Sequence, residues 1–183
     1  MMDRARLEHA FSLLGDDLVR RGVFVELAVY GACAILLQFD WRRTTEDVDA
    51  VVRPGNAESA LQPSIALVAE QLELAPDWLN DAVGMFTPLE ERDDFFAVAG
   101  TYPAGDRPGL RVLVARPHYL LALKLNALAS LDRGNKDMND ARALANELCI
   151  ERVEDLVQVF RSFHGEAPRD VVLRQLPAVL ERG

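Results

Sequence analysis

The sequence predicts an α+β fold, in which a small mixed β-sheet with flanking helices is followed by a helical C-terminal part. Two patterns favour this fold. Before residue 115, short runs rich in Val, Phe and Tyr end at glycine or proline, as strands do, whereas from Pro117 onward the apolar residues recur at helical spacing. With 183 residues, half of them apolar, the chain can bury one core. We expect a sheet-containing core, residues 1–116, with a helical part, residues 117–183, packed on it as one compact unit.

The first quarter of the chain carries the clearest pattern. Leu7, Phe11, Leu14 and Leu18 lie at helical spacing and predict an amphipathic helix that stops at Gly22. A run of Val, Phe and Tyr follows, and further on acidic and apolar residues alternate, which are two strand patterns. The elements predicted here are a helix over 4–21, a strand over 24–30, a short buried helix over 33–39 and a strand over 45–52.

The rest of the chain is predicted from proline positions and apolar spacing. A helix is expected to begin after Pro63, and two later strands are joined by a segment with two prolines and a glycine. The predicted elements are a helix over 64–74, a loop or short helix over 78–81, strands over 95–99 and 110–114 joined by 102–108, and helices over 119–131, 136–148, 153–160 and 169–180.

The charge of the chain limits its partners. The formal net charge is −9, so the molecule as a whole repels polyanions, and non-specific DNA or RNA binding is not expected. A few well-placed cations are still enough to hold a triphosphate or an RNA end. The acidic composition therefore argues against nucleic-acid coating and leaves local phosphate recognition open.

Cysteine content and hydropathy predict a cytoplasmic protein that does not bind membranes. Cys33 and Cys149 are too few for a disulfide framework or a cysteine-based metal cluster, and both are expected to be reduced and buried. No secretory signal is visible at the N-terminus. The longest apolar stretch, residues 24–39, is interrupted by Glu26 and Gln38 and is shorter than the roughly 20 residues of a membrane span.

The most suggestive chemistry lies in the acidic end of the strand predicted over 45–52. Side chains alternate between the two faces of a strand, so Asp47 and Asp49 should project from one face while Val48 enters the core. Two neighbouring carboxylates need a cation or a shared proton. Mg²⁺ prefers carboxylate and phosphate oxygens together, so the pair is a candidate metal site for phosphate chemistry. A solvated surface pair is the alternative.

Gly31 and Ala32 form a second part of the candidate site, next to the Asp47 and Asp49 pair. They lie where a predicted strand turns into a short helix, and backbone N–H groups at such a turn can hold an anion. An ordinary turn glycine would look the same. A turn facing two acids on a neighbouring strand is, however, a reasonable triphosphate site.

These residues resemble a known family. The chain is similar to the polymerase-beta-like nucleotidyltransferases, particularly those of abortive-infection toxin–antitoxin systems, over about residues 24 to 148. The motifs that carry the resemblance are Gly31-Ala32-x-Ala34, Arg43-x-Thr45-x-Asp47-x-Asp49, the helical run 120–127 around Lys124, Arg133-x-x-Lys136-Asp137-x-x-Asp140, and the segment 78–81.

The resemblance implies a site and a reaction. Asp47 and Asp49 would bind Mg²⁺ or Mn²⁺, and Lys124 and Asp137 would belong to the active site. The nucleoside triphosphate would be held by Gly31, Ala32, Arg43, Thr45 and Lys136. A nucleoside monophosphate would pass to an RNA or protein acceptor, and the enzyme would be a toxin restrained by an antitoxin protein.

Two departures from the family pattern keep alternatives open. Ala32 replaces a residue that is usually Gly or Ser, so a hydroxyl contact is missing. The strand predicted over 110–114 offers Arg111 where related enzymes carry a third carboxylate. A catalytically inactive nucleotide-binding or antitoxin-like protein of the same fold is one alternative, and an unrelated small α+β domain is another.

The apolar surroundings of Lys124 allow a prediction that does not depend on the family resemblance. It is the only charged residue from Tyr119 to Leu131, and an unpaired ammonium is costly to bury, so an anion is expected nearby. Either its stem covers apolar surface while its head reaches water, or it binds phosphate. Under both readings Lys124→Met should fold at least as well as the natural chain.

Asp137 and Asp140 share one face near the start of a predicted helix, where the helix dipole favours carboxylates. We expect Asp140 to serve the helix terminus. Asp137 is expected to orient Lys124 or to polarise the acceptor.

Overall fold

The computed structural model describes residues 1–53, 58–85, 87–88, 90–130 and 135–181. Within these ranges the chain forms five strands, eight α-helices and two short 3₁₀ helices. The helices are α1 Arg4–Arg20, α2 Gly31–Gln38, α3 Glu58–Leu72, α4 Pro117–Ala127, α5 Lys136–Glu147, α6 Val153–His164, α7 Asp170–Leu173 and α8 Leu176–Val179. The strands are β1 Val25–Val29, β2 Val48–Val52, β3 Leu79–Asn80, β4 Phe96–Tyr102 and β5 Leu110–Ala115, and the 3₁₀ helices are Ala82–Met85 and Asp93–Phe95.

The chain divides into two compact units. The first contains Met1–Gly84 and Phe96–Ala115, and the second contains Met85–Phe95 and Arg116–Gly183. All five strands belong to the first unit, and α4 to α8 belong to the second. The predicted α+β class with a mixed sheet is confirmed.

The sheet of the first unit is open and mixed, with the order β3-β2-β1-β5-β4. The β1 strand pairs antiparallel with β2 and parallel with β5, β4 pairs antiparallel with β5, and β3 pairs parallel with β2. The strand that is made last, β5, therefore lies between β1 and β4.

Alternation along the strands gives the sheet two different faces. On one face the apolar residues of β1 and β5 are buried, and Phe11 of α1 packs against Tyr102 there with ring centroids 5.7 Å apart. On the other face lie residues that include Asp49, and we call it the Asp49 face. Its members, given by register and alternation, include Asp49, Val51 and Arg53 of β2 and its extension, Glu26, Ala28 and Tyr30 of β1 and its extension, Asn80 of β3, Arg111, Leu113 and Ala115 of β5, and Phe96, Val98 and Thr101 of β4.

The first helix, α1, has a capping residue at its start and a glycine just beyond its end. The Asp3 carboxylate accepts a hydrogen bond from the Arg6 backbone N–H at 2.8 Å and caps the helix, and Gly22 takes a left-handed φ of 69° just beyond its end. The apolar stripe from Leu7 to Leu18 is fully buried. The predicted amphipathic helix is confirmed.

Asp17 is an acid on the buried side of α1. Its carboxylate accepts hydrogen bonds from Arg21 Nε at 2.6 Å and Ser64 Oγ at 2.7 Å, and Arg20 Nη2 lies 3.2 Å away. These contacts, led by the hydrogen bond from Arg21, lower the pKa of Asp17 to about 2. Since Ser64 is on α3, Asp17 links the two helices.

We expect Asp17→Asn to lower the free energy of unfolding at pH 7 by about 1–2 kcal/mol, because its charged hydrogen bonds are lost and two of its three partners are partly exposed arginines. The Asp17 pKa is depressed in the folded state, so its contribution is complete above the unfolded pKa near 4 and is lost as the pH falls towards 2. Urea denaturation at pH 7 and pH 3 measures this, with Asp16→Asn as the control. Equal pH dependence in the wild-type protein and Asp17→Asn would contradict the assignment.

The second unit is organised around an aromatic cluster. Phe95, Tyr119 and Phe163 contact one another with ring centroids 4.9 to 5.1 Å apart, and the Tyr119 hydroxyl donates a hydrogen bond to Glu91. Pro117 occupies the first turn of α4, where its missing N–H has no cost. The segment before β4 is thus part of the second unit's core.

Four helix predictions were wrong in their extent. The α4 helix ends at Ala127 rather than at residue 131, and α6 continues to His164 rather than ending at residue 160. The α3 helix runs through Pro63 rather than starting after it, because the buried stripe of Leu61, Ile65 and Val68 continues upstream of the proline. The single helix predicted over 169–180 is two short helices, since Pro177 cannot donate the hydrogen bond that would continue α7.

Two further predictions failed because pairing partners distant in sequence decide them. Trp78–Asn80 was expected in a loop or short helix, but Leu79 and Asn80 form β3, and Val48 N–H donates to the Trp78 carbonyl at 2.7 Å. The strand predicted from residue 45 begins at Val48, because Thr45 pairs with Met2 instead of with β1. Tertiary contacts override local propensity at both places.

The two cysteines differ in their exposure to solvent. Cys33 is buried as predicted, whereas the prediction for Cys149 was wrong, since Cys149 is exposed just after α5, where it has a left-handed φ of 54°. No helix in the described ranges is long and apolar enough to cross a membrane. Leu131 and Arg133, which entered the sequence predictions, lie outside the described residues.

Candidate active site

Asp47 and Asp49 stand on either side of a core residue. Val48 is fully buried, while both aspartates are partly exposed, as the alternation predicted. Asp49 lies on β2, and its backbone carbonyl accepts a hydrogen bond from Tyr30 N–H at 2.9 Å. Asp47 lies one residue before the strand, so the pair combines a fixed strand carboxylate with one on the adjoining loop.

Thr45 supports the loop that carries Asp47. Its hydroxyl donates to the Asp47 backbone carbonyl at 2.8 Å, and its side chain is 4% exposed. The sequence predicted that Thr45 contacts nucleotide. The observed contact positions the loop of Asp47, and the contact of Thr45 with nucleotide stays a prediction.

Gly31 brings the start of α2 against Asp49. It has a φ of +58°, and a Cβ built on it would lie 2.6 Å from Asp49 Oδ2. The carboxylate therefore occupies the space that any other residue's side chain would need. Gly31 is the first residue of α2 and Ala32 follows it, 8% exposed, so the predicted glycine turn and the predicted acid are adjacent.

We expect Gly31→Ala to displace the Asp49 carboxylate and to weaken Mg²⁺-dependent nucleotide binding by about tenfold or more. The stability loss should be only about 1 kcal/mol, because the cost arises from the positive φ and the clashing atom is at the end of a side chain that can move. Isothermal titration with Mg²⁺ and nucleoside triphosphate measures the binding.

Gly22→Ala is the matched control, since Gly22 has a φ of +69° with no atom within 4 Å of an added Cβ. It should cost similar stability and leave nucleotide binding unchanged. Equal binding by both variants would show that the closeness of Gly31 to Asp49 does not matter for the ligand.

The two aspartates set the electrostatics around the first turn of α2. Cys33 is 1% exposed, and its pKa is raised well above its ordinary value, first by burial and then by the charges of Asp49 and Asp47. The thiol is therefore neutral at pH 7. Negative charge at the N-terminus of α2 is also favoured by the helix dipole.

The donor set suits a hard cation that keeps several water ligands. No three His, Cys, Asp or Glu side chains within the described ranges are grouped to hold a metal. Glu26 shares the Asp49 face but lies four residues along β1 from Tyr30, about 13 Å at the usual strand rise, and it pairs with Arg111 at 3.0 Å. Two carboxylates fit Mg²⁺, which commonly takes one or two protein carboxylates and fills its remaining positions with water and phosphate oxygens.

The other predicted residues are distributed over both units. Arg43 is exposed on the loop that leads to Asp47 in the first unit, and Lys136 is exposed at the first position of α5 in the second. Neither side chain has a described contact that assigns it a role. Their nucleotide contacts stay predictions.

Lys124 forms a buried ion cluster in the second unit. Its Nζ lies 2.6 Å from Asp137 Oδ1 and 2.9 Å from Asp140 Oδ2, and all three side chains are at most 10% exposed. The anion that the sequence required near Lys124 is thus supplied by α5, and the predicted contact between Asp137 and Lys124 is present. We call these three residues the Lys124 cluster.

This cluster changes two expectations. Asp140 was expected to serve the helix terminus, but it is buried against Lys124 because α4 and α5 pack face to face. Lys124 neither reaches water nor lacks an anion, so removing its charge would leave two carboxylates buried. Binding of triphosphate by Lys124 stays a prediction.

Arg53 was not among the residues predicted for the site. It follows β2 four residues after Asp49, and the same alternation that placed Asp47 and Asp49 together puts it on the Asp49 face.

None of the protein-family models, curated proteins or solved structures with which the chain was compared matches it. A function is therefore inferred from the motifs quoted above and from the geometry of Gly31, Asp47 and Asp49.

Proposed function

We propose that the chain is a metal-dependent nucleotidyltransferase, which transfers a nucleoside monophosphate from a nucleoside triphosphate to an RNA or protein acceptor. The observation that carries the proposal is the adjacency of the Gly31 turn and the Asp49 carboxylate, with Asp47 one residue before the same strand. A helix N-terminus beside two partly exposed acids offers both partners that a metal–triphosphate complex needs.

Each residue has a role in this reaction. Asp47 and Asp49 would hold Mg²⁺, which neutralises phosphate charge and lowers the pKa of an attacking hydroxyl. The first-turn N–H groups of α2 lack partners within the helix and favour the anionic phosphates. The oxygen of an acceptor hydroxyl would bond to the α-phosphorus as the bond from that phosphorus to the oxygen bridging the α- and β-phosphates breaks, so that pyrophosphate leaves and the hydroxyl proton passes to solvent. Thr45 holds the loop of Asp47 in place.

The order of elements supports a nucleotidyltransferase type of fold. A strand, a glycine turn, a short helix and an acidic antiparallel strand follow one another as β1, Gly31, α2 and β2. The family resemblance extends the proposal to a cytoplasmic toxin with an antitoxin partner.

One observation favours a second candidate, an inactive nucleotide-binding or antitoxin-like protein. The β5 strand carries Arg111, paired with Glu26, and no carboxylate. Two acids can hold metal and nucleotide, but a missing third ligand would weaken the metal site.

Incubation with each labelled nucleoside triphosphate, Mg²⁺ and total cellular RNA or protein tests the proposal. Label in a macromolecule together with released pyrophosphate is the expected result. Nucleotide binding without transfer would select the second candidate. Absence of both binding and transfer would overturn the proposal.

A further inference from the structure

The loop between α2 and β2 carries aromatic and basic side chains that contact one another. The rings of Phe39 and Trp41 are stacked, with centroids 5.8 Å apart and planes 28° from parallel. The guanidinium carbon of Arg42 lies 5.9 Å from the centroid of the Trp41 ring. Phe39 and Trp41 are partly exposed, and Arg43, the next residue along the loop, is exposed. We call these four residues the Trp41 platform.

The Trp41 platform is a basic spot on an acidic chain. The formal net charge of the chain is −9, yet two adjacent arginines occur here. The acid between the two rings, Asp40, has a cation near it, because its Oδ1 lies 3.8 Å from Arg4 Nη2. A negatively charged ligand is therefore repelled less at this loop than by the molecule as a whole.

Rings and arginines together fit a single-stranded nucleic acid. Every base has a flat face that stacks on an aromatic ring, and the phosphates attract a guanidinium. A protein acceptor presents neither a row of bases nor a chain of phosphates. The chemistry of the Trp41 platform thus favours RNA over protein as the acceptor.

The covalent chain limits how far the Trp41 platform lies from the acids. Trp41 is six residues before Asp47, and six residues reach at most about 22 Å when fully extended. Gly31, which lies against the Asp49 carboxylate, begins α2, whereas Phe39 follows its last residue. Eight residues of helix rise about 12 Å. This separation suits an acceptor strand whose reacting end is at the acids while an earlier base lies on the rings.

We propose that the Trp41 platform binds single-stranded RNA and holds its end at the Asp47 and Asp49 site. A base stacks on the rings, and Arg43 contacts a phosphate. This inference rests on the proposed function and names RNA as its acceptor. Binding does not depend strongly on sequence, because stacking does not read the edges of the bases.

The test measures two kinds of binding separately. Fluorescence anisotropy with labelled oligo(A) and oligo(U) reports RNA binding, and isothermal titration with ATP, GTP, CTP and UTP in Mg²⁺ reports nucleotide binding. We expect Trp41→Leu to raise the Kd for both RNAs by about tenfold or more, as the loss of one stacked base would. Its Kd for the preferred nucleotide should stay within about twofold of the wild-type value.

Salt dependence separates the roles of the two residues. Arg43→Gln should reduce the slope of log Kd for RNA against log salt concentration by about one, since one phosphate contact is lost. Trp41→Leu should leave that slope unchanged, because stacking releases no counterions. A slope that is the same in Arg43→Gln and in the wild-type protein would overturn the phosphate contact.

Phe24→Leu is the matched control. Phe24 is 40% exposed, and the guanidinium carbon of Arg111 lies 5.5 Å from its ring centroid, so it belongs to the same kind of aromatic–arginine contact at another place in the first unit. It should bind RNA as the wild-type protein does. If Trp41→Leu does not fold, the emission of the wild-type protein decides. Trp78, the other tryptophan, is 1% exposed, so quenching by RNA reports Trp41.

The outcomes distinguish this inference from the proposed function. A wild-type protein that binds no nucleoside triphosphate would end the proposed function and the inference with it. Nucleotide binding without RNA binding, or transfer of label to protein alone, would overturn the inference only. Equal RNA binding by Trp41→Leu and Phe24→Leu, or no quenching at saturating RNA, would do the same. A loss of nucleotide binding in Trp41→Leu as large as its loss of RNA binding would place the base of the triphosphate on the rings instead.

Discussion

Lys124→Met is expected to lower the free energy of unfolding by about 3–5 kcal/mol, because it leaves Asp137 and Asp140 buried without their cation. Methionine keeps the unbranched stem and a high helix propensity, so the loss reports the charge rather than the packing. Circular dichroism during urea denaturation measures it, since the cluster lies between two helices of the second unit. Both tryptophans, Trp41 and Trp78, are in the first unit, and their fluorescence reports that unit separately.

Two comparisons show whether the buried charges cause the effect. Lys136→Met changes an exposed lysine at the start of α5 and should alter stability by no more than about 0.5 kcal/mol. Adding Asp137→Asn and Asp140→Asn to Lys124→Met removes the uncompensated charges and should recover a large part of the loss. A Lys124→Met variant as stable as Lys136→Met would mean that the Lys124 cluster contributes little.

If the proposed function is correct, Asp49→Asn should reduce nucleotidyl transfer by about a hundredfold or more while the protein stays folded, because one of the two carboxylates proposed to hold the metal is lost. The side chain is partly exposed and borders a second acid, so the neutral amide relieves repulsion without opening the core. Transfer of label from a nucleoside triphosphate, measured together with a thermal melt, gives both quantities.

Glu46→Gln is the matched control for this change. Glu46 is exposed and adjacent in sequence to Asp47, so its replacement alters the net charge by the same amount at nearly the same place. We expect near-normal transfer from Glu46→Gln. Comparable activity in Asp49→Asn would show that the metal assignment is wrong.

The sequence predicted the local features of the candidate site well. Alternation placed Asp47 and Asp49 around buried Val48, and the strand-to-helix turn placed Gly31, because both signals depend on neighbouring residues. The closeness of Gly31 to Asp49 could only be suspected, since it depends on the pairing of β1 with β2.

What the sequence did not reveal depends on long-range contacts. Leu79 and Asn80 make a strand only because β2 lies beside them. From the sequence, Asp140 is predicted to interact with the helix terminus, and only the packing of α4 on α5 shows that it contacts Lys124.

The path of the chain between the two units has a consequence for biosynthesis. Residues Met85–Phe95 belong to the second unit, yet they are made before β4 and β5 of the first. The emerging β1 strand therefore keeps one hydrogen-bonding edge unpaired until residue 115 has left the ribosome. The ring contact of Phe95 with Phe163 forms later still, after residue 163 has been synthesised. The first unit has all its strands once residue 115 is made, whereas the second unit needs residues from both before and after β4 and β5, so the nascent chain exposes first a strand edge and then aromatic surface of the kind that chaperones protect.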